Sequence, residues 1–363
     1  MNKQLTIGIN ANEANLVTNR VGSNQFAFGL LKALAQIKTK HQFVIYLSTS
    51  PLEDLPKTSA NWTYRVIPLP KFWTQWRLPL DLYFHQPRPD LIFSLGHYGP
   101  RFSPVPSLVT IMDLGFLKFP NQFTKKDFYQ LKSWTEYSVK QATAVFAISE
   151  TTKQDIINTY KIRPGKITVI YPGYDKEIFF PKQEPSAQPY LLFLGSLRPS
   201  KNLERLIEAF NLLEDKKIQL VLAGKKGWLY ESIFQKVKEL KLENRVTFTD
   251  FVPEKEIPTL MRQAEVFVFP SLYEGFGIPV VEAMACGTPV LVSNAGSLPE
   301  VIGNAGVIVN PYKVEEIAKG IKLAIKNQDN LKVKGLVQAK KYDWEKSAQK
   351  VMEILEFTHY FGG

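Results

Sequence analysis

The feature that most constrains the fold is an alternation of short apolar runs with longer helical patterns, which occurs twice along the chain. In the first half the apolar runs are LTIGI, FVIYL, YRVIP, DLIFS, SLVTIM, AVFAIS and ITVIY. Near-continuous apolar strands that alternate with helices are typical of a parallel sheet covered on both faces. The first half therefore predicts a doubly wound α/β domain.

The alternation restarts after residues 180–189, a stretch with three prolines that is typical of an interdomain linker. The later runs are YLLFLG, IQLVLAG, VTF, VFVFP and PVLVS. We predict two Rossmann-like doubly wound domains, residues 1–181 and 182–344, followed by a helix at 345–363 that crosses back to the first domain. Since open α/β sheets bind ligands beyond the carboxyl ends of their strands, the two sheets are expected to face a central cleft with one substrate on each wall.

Composition narrows the class of protein. The single cysteine, Cys286, excludes an intramolecular disulfide, and the four histidines lack the spacing of a zinc site.

The sequence has no apolar run of membrane-spanning length and no signal-peptide pattern, so the cytoplasm is the expected compartment. A net charge of +11 fits an anionic membrane surface, a phosphorylated substrate or simply a solvated surface. Nucleic acid is not expected as a partner, because no RNA-binding aromatic signature or zinc finger is present.

The most informative stretch is residues 266–301, VFVFPSLYEGFGIPVVEAMACGTPVLVSNAGSLPEV. An apolar strand is followed by a glycine-rich turn, and Pro279 stands where the first residue of a helix belongs. Gly287 suits a left-handed stop at the end of that helix. The turn presents backbone N–H groups at a helix N-terminus, where they and the helix dipole favour a phosphate. The carboxylates of Glu274 and Glu282 are acceptors that suit sugar or ribose hydroxyls.

The seven-residue separation of Glu274 and Glu282, within SLYEGFGIPVVEAMACGTPV, resembles the E-x7-E signature of the retaining family-four glycosyltransferases, which have the GT-B fold. The resemblance implies that Glu274 contacts hydroxyls of the donor sugar and that Glu282 accepts hydrogen bonds from the ribose. It also implies that backbone amides of the turn face the sugar and diphosphate. The donor-binding residues expected in this turn are Gly275, Phe276, Gly277 and Ile278.

The loop LGSLRPSKNLERL opens a helix after the first strand of the second domain, a position suited to phosphate. Similar transferases hold the diphosphate there with an Arg and a Lys. Lys201 aligns with that Lys, whereas Ser196 occupies the usual position of the Arg. Arg198, two residues on, is expected to substitute for it, against the alternative of a solvated loop charge. We therefore expect Glu274, Lys201 and Arg198 to be catalytic and Ser196 to bind the donor.

Two segments of the first domain also resemble the family. Gly22 begins a loop similar to the family's glycine-rich loop near the transferring phosphate, although Asn24 stands where a second glycine is common and simple turn formation would also explain Gly22. At VTIMDL, Met112 precedes Asp113 where the family often has His. Asp113 is expected to bind the donor, and Met112 to pack in the core. His97 either enters the cleft or is an ordinary loop histidine.

The resemblance implies transfer of a hexose from a nucleotide diphosphate sugar to a saccharide or lipid-linked saccharide acceptor. It implies that the first domain, residues 1–181, binds the acceptor and that the second, residues 182–344, binds the nucleotide sugar. GKKGWLY and SLPEV resemble bacterial polysaccharide mannosyltransferases, which favours mannose, and GDP-mannose over a UDP-hexose. The chain contains no Asp-x-Asp pair, so charge compensation is expected from the protein, with no metal and no cofactor.

Residues 71–82, KFWTQWRLPLDL, combine aromatic and basic side chains, as a membrane-interfacial or acceptor-binding element would. Packing of a helix against the core explains the same composition. The membrane interpretation implies a peripheral protein on the inner face of a membrane and a lipid-linked acceptor.

Two other functions stay open. A non-catalytic nucleotide-sugar or glycan-binding subunit is compatible with Met112 and Ser196. An NAD-dependent oxidoreductase would require a G-x-G-x-x-G after a predicted strand, and the sequence lacks one.

Overall fold

The computed structural model describes residues 3–17, 20–69, 71–182, 184 and 186–361. The chain divides into two compact units, one containing the chain up to Gly173 and from Asp343 onward, the other running from Tyr174 to Tyr342. No helix within these described ranges combines the length and the apolar character needed to cross a membrane.

The first unit is built on parallel strands whose side chains are largely buried, as expected for a sheet covered on both faces. The described strands are β1 Thr6–Asn10, β2 Gln42–Leu47, β3 Trp62–Val66, β4 Leu91–Ser94, β5 Ser107–Ile111, β6 Ala144–Ala147 and β7 Ile167–Val169. They pair in the order β3-β2-β1-β4-β5-β6-β7, and every pairing is parallel. The chain therefore winds outward from β1, returns to β4 on its other side and continues in the opposite direction.

Helices connect these strands. They are α1 Ser23–Gln36, α2 Leu78–Phe84, α3 Gly115–Lys118, α4 Lys125–Gln141 and α5 Glu150–Tyr160, with a π-helical turn at Trp73–Arg77 and 3-10 turns at Asn12–Asn15, Pro120–Gln122 and Pro164–Lys166. Hydroxyl groups cap the N-termini of α4 and α5. The Thr124 hydroxyl accepts a hydrogen bond from the N–H of Asp127 in α4, and the Ser149 hydroxyl accepts one from the N–H of Thr152 in α5. Such caps satisfy N–H groups that the helix itself leaves unbonded.

The second unit repeats the arrangement. Its described strands are β8 Tyr190–Leu194, β9 Gln219–Ala223, β10 Val246–Phe248, β11 Val266–Phe269, β12 Val290–Ser293 and β13 Gly306–Val309. They form a parallel sheet in the order β10-β9-β8-β11-β12-β13. The strands predicted from the sequence did not include β13, a four-residue edge strand whose Ile308 is 44% exposed. The two doubly wound parallel sheets confirm the predicted α/β class, whereas the central cleft stays a prediction.

The helices of the second unit are α6 Leu203–Asn211, α7 Glu231–Glu239, α8 Ile257–Arg262, α9 Ile278–Ala285, α10 Leu298–Ile302, α11 Val314–Lys326 and α12 Gln328–Ala339, with 3-10 turns at Pro199–Lys201 and Glu254–Glu256.

The proline-rich segment predicted as a linker, residues 180–189, lies within the second unit. Arg262 binds this part of the chain through three groups. Its guanidinium donates to the carbonyl oxygens of Phe180 (2.9 Å) and Ile178 (2.8 Å) and to the carboxylate of Glu184 (3.2 Å). These bonds attach the segment to Arg262, the last residue of α8, and the first unit ends before it, at Gly173.

A last helix, α13 (Trp344–Phe361), packs in the first unit against α1. Trp344 meets Phe26 edge to face at 5.7 Å, and a Cβ added at Gly29 or at Gly173 would clash with Trp344. Further along the helix, Glu356 contacts His41 at 2.9 Å, and the other ring nitrogen of His41 accepts from the N–H of Leu5. The absence of side chains on the two glycines therefore makes room for the start of α13.

We predict that Gly29→Ala destabilises the protein although alanine favours helix formation. The methyl group would overlap the indole of Trp344, and such overpacking costs about 1–3 kcal/mol, which exceeds the helix propensity gain of about 1 kcal/mol. Gly335→Ala in α12 is the matched control, because the nearest atoms to its added Cβ are at an ordinary contact distance of 3.5 Å. Thermal unfolding should show a lower midpoint for Gly29→Ala and an equal or higher one for Gly335→Ala; a raised midpoint for Gly29→Ala would contradict the packing argument.

Candidate functional site

Two loops meet at the carboxyl edge of the second sheet. One follows β8 and the other follows β11, and these strands are neighbours in a parallel sheet, so both loops leave from the same edge. The N–H of Leu272 donates to the carbonyl oxygen of Ser200 at 2.8 Å, and the Asn202 amide donates to the carbonyl oxygens of Pro270 and Pro311. Asn202 adopts a left-handed conformation, with φ at 59°, and is nearly fully buried. These bonds fix the first loop against the second.

The two loops bring Lys201 and Glu274 together. The Lys201 ammonium donates to Oε1 of Glu274 at 2.5 Å, and the two side chains are only 8% and 14% exposed. The ammonium also lies 4.9 Å from the centre of the Phe269 ring. A buried charge is costly unless it is paired, so each of the two side chains compensates the charge of the other. Two expected catalytic residues that are far apart in sequence thus form one charged pair.

The glycine-rich turn is shaped by its neighbours. The N–H of Ser297 donates to the carbonyl oxygen of Glu274, and its hydroxyl donates to that of Phe276, each at 3.1 Å. Gly296 packs so closely that an added Cβ would clash with the backbone of Glu274. The Phe276 side chain is buried and meets Tyr342 edge to face at 5.2 Å, so only the backbone of Phe276 is suited to a ligand contact.

Helix α9 begins at Ile278, one residue before the predicted start at Pro279. Both positions belong to the first helical turn, where the N–H groups have no partner within the helix, so proline is tolerated at either. Gly277 precedes the helix with φ at 107°, and Gly287 beyond its end has the predicted left-handed conformation, with φ at 80°. Within the described residues, the N–H groups of Gly275 and Gly277 donate to no protein acceptor. They are therefore available to an anion at the helix N-terminus.

Glu282 lies on α9 and is 7% exposed. Burial raises the pKa of its carboxyl to about 8, and the negative charges of Glu254 and Asp175 act in the same direction. The group is therefore mainly protonated at neutral pH and can donate one hydrogen bond as well as accept. Its role toward ribose stays a prediction.

Arg198 and Ser196 lie in the loop after β8 and are partly buried. The Arg198 guanidinium stacks over Trp228 at 4.9 Å, and its Nε is buried with no acceptor among the described residues. A buried guanidinium nitrogen without an acceptor is suited to an anionic ligand, which favours the substitution hypothesis for Arg198 over a solvated charge. The sequence analysis gave Trp228 no role, although an aromatic residue in the loop after the neighbouring strand β9 was a signal for it.

The expected residues of the first unit lie at the carboxyl edge of its own sheet. Gly22 precedes α1 with φ at 56°, and no atom of the described residues lies within 4 Å of a Cβ placed there. The Asp113 carboxylate accepts from the N–H of Gly115 at 2.7 Å at the start of α3. Met112 is 8% exposed, in agreement with a packing role, and its carbonyl oxygen accepts from the Thr152 hydroxyl. The sequence analysis overlooked Glu13, whose carboxylate accepts from Asn24 beside Gly22.

Comparison with known families covers most of the chain. Residues 175–351 match the family Glycosyl transferases group 1, and residues 21–178 match Glycosyltransferase Family 4. The two matches follow each other along the chain, and they correspond closely to the second sheet and to most of the first. The fold and the site thus define a two-domain glycosyltransferase of the GT-B type. The chain belongs to the glycosyltransferases described by these two families.

Individual relatives agree with this assignment. The chain is 28% identical over 282 residues to the O-antigen chain mannosyltransferase B of Escherichia coli, a match that covers 73% of this chain and 71% of that protein. It is 34% identical over 223 residues to the O-antigen chain mannosyltransferase RfbU of Salmonella typhimurium, which covers 61% of each protein, less than two thirds of that relative's length. Both relatives are named as enzymes of O-antigen polysaccharide.

Solved structures share the fold. Sucrose-phosphate synthase from Thermosynechococcus elongatus superposes with a TM-score of 0.79 at 20% identity, over 97% of this chain and 98% of that one. HepE of Anabaena, determined in complex with UDP-glucose, superposes with a TM-score of 0.73 at 18% identity, over 97% and 99% of the two chains. The GT-B fold predicted from the sequence is confirmed.

The protonated state of Glu282 leads to a prediction about stability. Because burial raises the pKa of this carboxyl to about 8 in the folded chain, the proton binds the folded state more tightly than the unfolded state. The stabilisation that this bound proton gives to the folded state is fully present below the ordinary carboxyl pKa of about 4.5. It is lost as the pH rises through about 8. Glu282→Gln, which is neutral at every pH, should therefore become more stable than the wild type across this window.

Thermal unfolding at several pH values between 4 and 9 checks this. We expect nearly equal midpoints at the acid end and an advantage of Glu282→Gln of at least about 1 kcal/mol, or about 2–4 °C, at the alkaline end. Glu243→Gln, at an exposed position of the same unit, is the control and should show no such trend. An equal difference between Glu282→Gln and the wild type at every pH would contradict the burial argument.

Proposed function

We propose that this protein is a retaining, metal-independent hexosyltransferase that moves a sugar from a nucleotide diphosphate sugar to a saccharide or lipid-linked saccharide. The observation that carries the proposal is the buried Lys201–Glu274 pair, which stands beside the N-terminal turn of α9. In this proposal the cation of the pair neutralises charge on the diphosphate of the nucleotide sugar, and the carboxylate binds hydroxyl groups of its sugar.

Each part of the donor has a suitable group in the second unit. The N–H groups of Gly275 and Gly277 and the cations of Lys201 and Arg198 suit the diphosphate. An ammonium carries three hydrogens, so Lys201 can retain its bond to Glu274 while it donates to a phosphate oxygen. Glu274 is assigned to hydroxyls of the sugar. Glu282 is assigned to the ribose hydroxyls.

The proposed reaction breaks the bond between the anomeric carbon and the diphosphate oxygen and forms a bond from that carbon to an acceptor oxygen on the same face. The departing phosphate takes the proton of the acceptor hydroxyl, so no separate base is required. Negative charge develops on the leaving diphosphate, and preorganised cations and N–H groups lower the barrier by stabilising it. This assigns the main catalytic effect to Lys201 and Arg198. The resemblance to retaining transferases supports retention, and the sequence's lack of an Asp-x-Asp pair supports metal independence.

GDP-mannose is the favoured donor because relatives from Escherichia coli and Salmonella typhimurium are named mannosyltransferases. A UDP-hexose is the alternative, and the name of HepE in complex with UDP-glucose supports including it in the test. A non-catalytic nucleotide-sugar or glycan-binding subunit is the second candidate function, and Ser196 at the usual arginine position is the observation that favours it. Binding of a donor without turnover would support that second function.

The decisive measurement is release of nucleoside diphosphate from GDP-mannose and UDP-glucose in EDTA, with donor affinity measured by calorimetry. We expect slow release by the wild type and a loss of about 100-fold or more in Lys201→Ala, since one lost stabilising donor typically costs about 2.7–4 kcal/mol. We expect a similar loss in Glu274→Ala, which removes the acceptor that holds Lys201 and is assigned to the sugar hydroxyls. Lys322→Ala removes a lysine from an exposed ion pair with Glu214 and should keep full activity. Wild-type rates in both site variants, or inversion at the anomeric carbon, would contradict the mechanism.

The single variants also leave one buried charge unpaired, which destabilises the fold. The double variant Lys201→Met/Glu274→Gln removes both charges together, so we expect it to keep more of its folding stability than Lys201→Ala. Its thermal unfolding separates lost chemistry from lost folding: a folded but inactive double variant supports the assigned roles.

A second part of the proposal concerns a membrane. The segment from the π-helical turn through α2 has two apolar faces. Core packing explains one of them, and the membrane interpretation stays a prediction for the other. Trp73, Leu78 and Leu82 pack in the core against Ile92. The opposite side chains are exposed by 45% to 83%: Phe72, Trp76, Leu80, Tyr83 and Phe84.

We propose that this exposed face docks on an anionic bilayer surface. Aromatic side chains next to Lys71 and Arg77 are typical of interfacial helices, and the protein's net charge of +11 favours an anionic surface over a neutral one. A lipid-linked acceptor would be presented at such a surface.

Flotation with phosphatidylcholine vesicles, with and without phosphatidylglycerol, tests the docking. We expect binding to the anionic vesicles that weakens as salt is raised, and about tenfold or more weaker binding by Phe72→Ser/Trp76→Ser, because burial of such side chains contributes about 1.5–3 kcal/mol each. The control Val333→Ser/Val337→Ser alters exposed apolar residues of α12 and should bind normally. Absence of wild-type binding to either vesicle would rule out the membrane role.

A further inference from the structure

The loop between β9 and α7 contains the motif GKKGWLY, residues 224–230, to which the proposed function gives no role. Strand β8 lies between β9 and β11 in the sheet, so the loop after β8 has a neighbouring loop on each side. On the β11 side, Lys201 of this loop is paired with Glu274. On the β9 side, the contacts are made by the GKKGWLY motif.

Backbone hydrogen bonds join the loops after β8 and β9 beyond the ends of these strands. The N–H of Leu197 donates to the carbonyl oxygen of Lys225, and the carbonyl oxygen of Leu197 accepts from the N–H of Gly227, each at 2.9 Å. Leu197 and Lys226 form a further parallel bridge. The pairing of β8 with β9 thus continues into the loops and fixes one against the other.

The two glycines of the motif allow this close contact. A Cβ added at Gly224 would overlap the backbone of the loop after β8. One added at Gly227 would lie 2.8 Å from the Leu197 carbonyl oxygen and 3.2 Å from Cβ of Arg198. A side chain at either position would therefore push the loops apart. The glycines thus allow the next residue, Trp228, to lie beside Arg198.

The contact between Trp228 and Arg198 leaves hydrogen-bond donors available. The Arg198 guanidinium lies over the indole at 4.9 Å, and its buried Nε has no acceptor among the described residues. A guanidinium holds its five N–H groups in one plane, and a contact through its face uses none of them. The indole therefore fixes the direction of the guanidinium and leaves Nε to an oxyanion.

One short turn carries both cations of the proposed donor site. The N–H of Lys201 donates to the carbonyl oxygen of Arg198 at 3.0 Å, across the 3-10 turn Pro199–Lys201. Lys201 is held on one side by Glu274, and Arg198 is held on the other by Trp228. A long side chain loses rotamer freedom when it binds a ligand, and a preorganised one avoids much of that loss.

We propose that Trp228 is a positioning residue that holds Arg198 toward the diphosphate of the nucleotide sugar. This contact compensates for Ser196, which occupies the position where similar transferases have arginine. The inference rests on the proposed function, because Arg198 is assigned there to the diphosphate. Trp228 acts through Arg198 and makes no essential contact of its own with the nucleotide.

Four single variants separate the ring from the charge. Trp228→Leu removes the aromatic face, whereas Trp228→Phe retains one. Arg198→Met removes the charge and keeps a long side chain. Phe180→Leu is the matched control, because Phe180 lies before β8, is 42% exposed against 40% for Trp228, and also contacts a guanidinium, that of Arg262, at 4.4 Å.

The first measurement is calorimetry with GDP and UDP, which measures diphosphate binding without turnover. We expect about fivefold weaker binding by Trp228→Leu, the effect of losing a partly exposed cation–π contact. Arg198→Met should bind about tenfold or more weakly, because it loses a hydrogen bond to a charged group. Trp228→Phe and Phe180→Leu should bind much as the wild type does, and thermal unfolding checks that every variant is folded.

The double variant Trp228→Leu/Arg198→Met distinguishes positioning from direct contact with the nucleotide. We expect it to bind as Arg198→Met does, because the ring then has no charge to hold. A tryptophan that stacked on the base itself would still be missed without Arg198, and the two losses would multiply. Multiplied losses, unchanged binding by Trp228→Leu, or an equal loss in Trp228→Phe would overturn the inference.

Release of nucleoside diphosphate from GDP-mannose and UDP-glucose keeps the inference apart from the proposed function. We expect Trp228→Leu to lower the rate at saturating donor, because a displaced Arg198 stabilises the leaving diphosphate less. Coupled losses of GDP or UDP binding without any turnover would refute the transferase and retain the role of Trp228. Turnover with multiplied losses refutes that role alone, and a wild type that binds neither nucleotide refutes both.

Discussion

Parallel strand pairing is the constraint on which the rest of the structure depends. In a parallel sheet every strand ends at the same edge, so loops that are distant in sequence are brought beside one another. The loops after β8 and β11 meet in this way, and so do those after β1 and β4. The same geometry occurs twice. It places the Lys201 ammonium next to the Glu274 carboxylate in the second unit, and it places the Glu13 side chain against Gly96 in the first.

The Lys201–Glu274 pair follows from that arrangement. A lysine and a glutamate separated by 73 positions would gain little from contact at the surface, where ion pairs are weak. Here Asn202 and Ser200 fix the first loop to the second, and the two charges share a largely buried position. The pair therefore stabilises the contact between the two loops, and it is the group on which the proposed donor site is built.

The sequence was sufficient to predict most strands of the two sheets and the helix start at the candidate site. Apolar runs and turn residues predicted twelve strands of the two sheets, and the glycines and proline around α9 predicted a helix N-terminus suited to a phosphate. The sequence did not predict β13, which has only four residues at a sheet edge. The proline-rich segment is typical of a linker in composition, and no pattern in the sequence indicates that Arg262 binds it. Residues 71–82 could not be assigned to a core or an interface from composition, because one helical segment presents apolar side chains in both directions.

The sequence by itself determined the fold class, the resemblance to the glycosyltransferases and the residue types of the proposed donor site, because these depend on local periodicity, turn chemistry and motif spacing. Only the tertiary structure decided that burial raises the pKa of Glu282, that Arg198 stacks on Trp228 with its Nε unbonded among the described residues, and that Glu13 is oriented by Asn24 against Gly96. The physical reason is that burial and hydrogen-bond partners are properties of residues brought together across the sheet edge, and no local pattern along the chain encodes which groups will be left there without water or a partner.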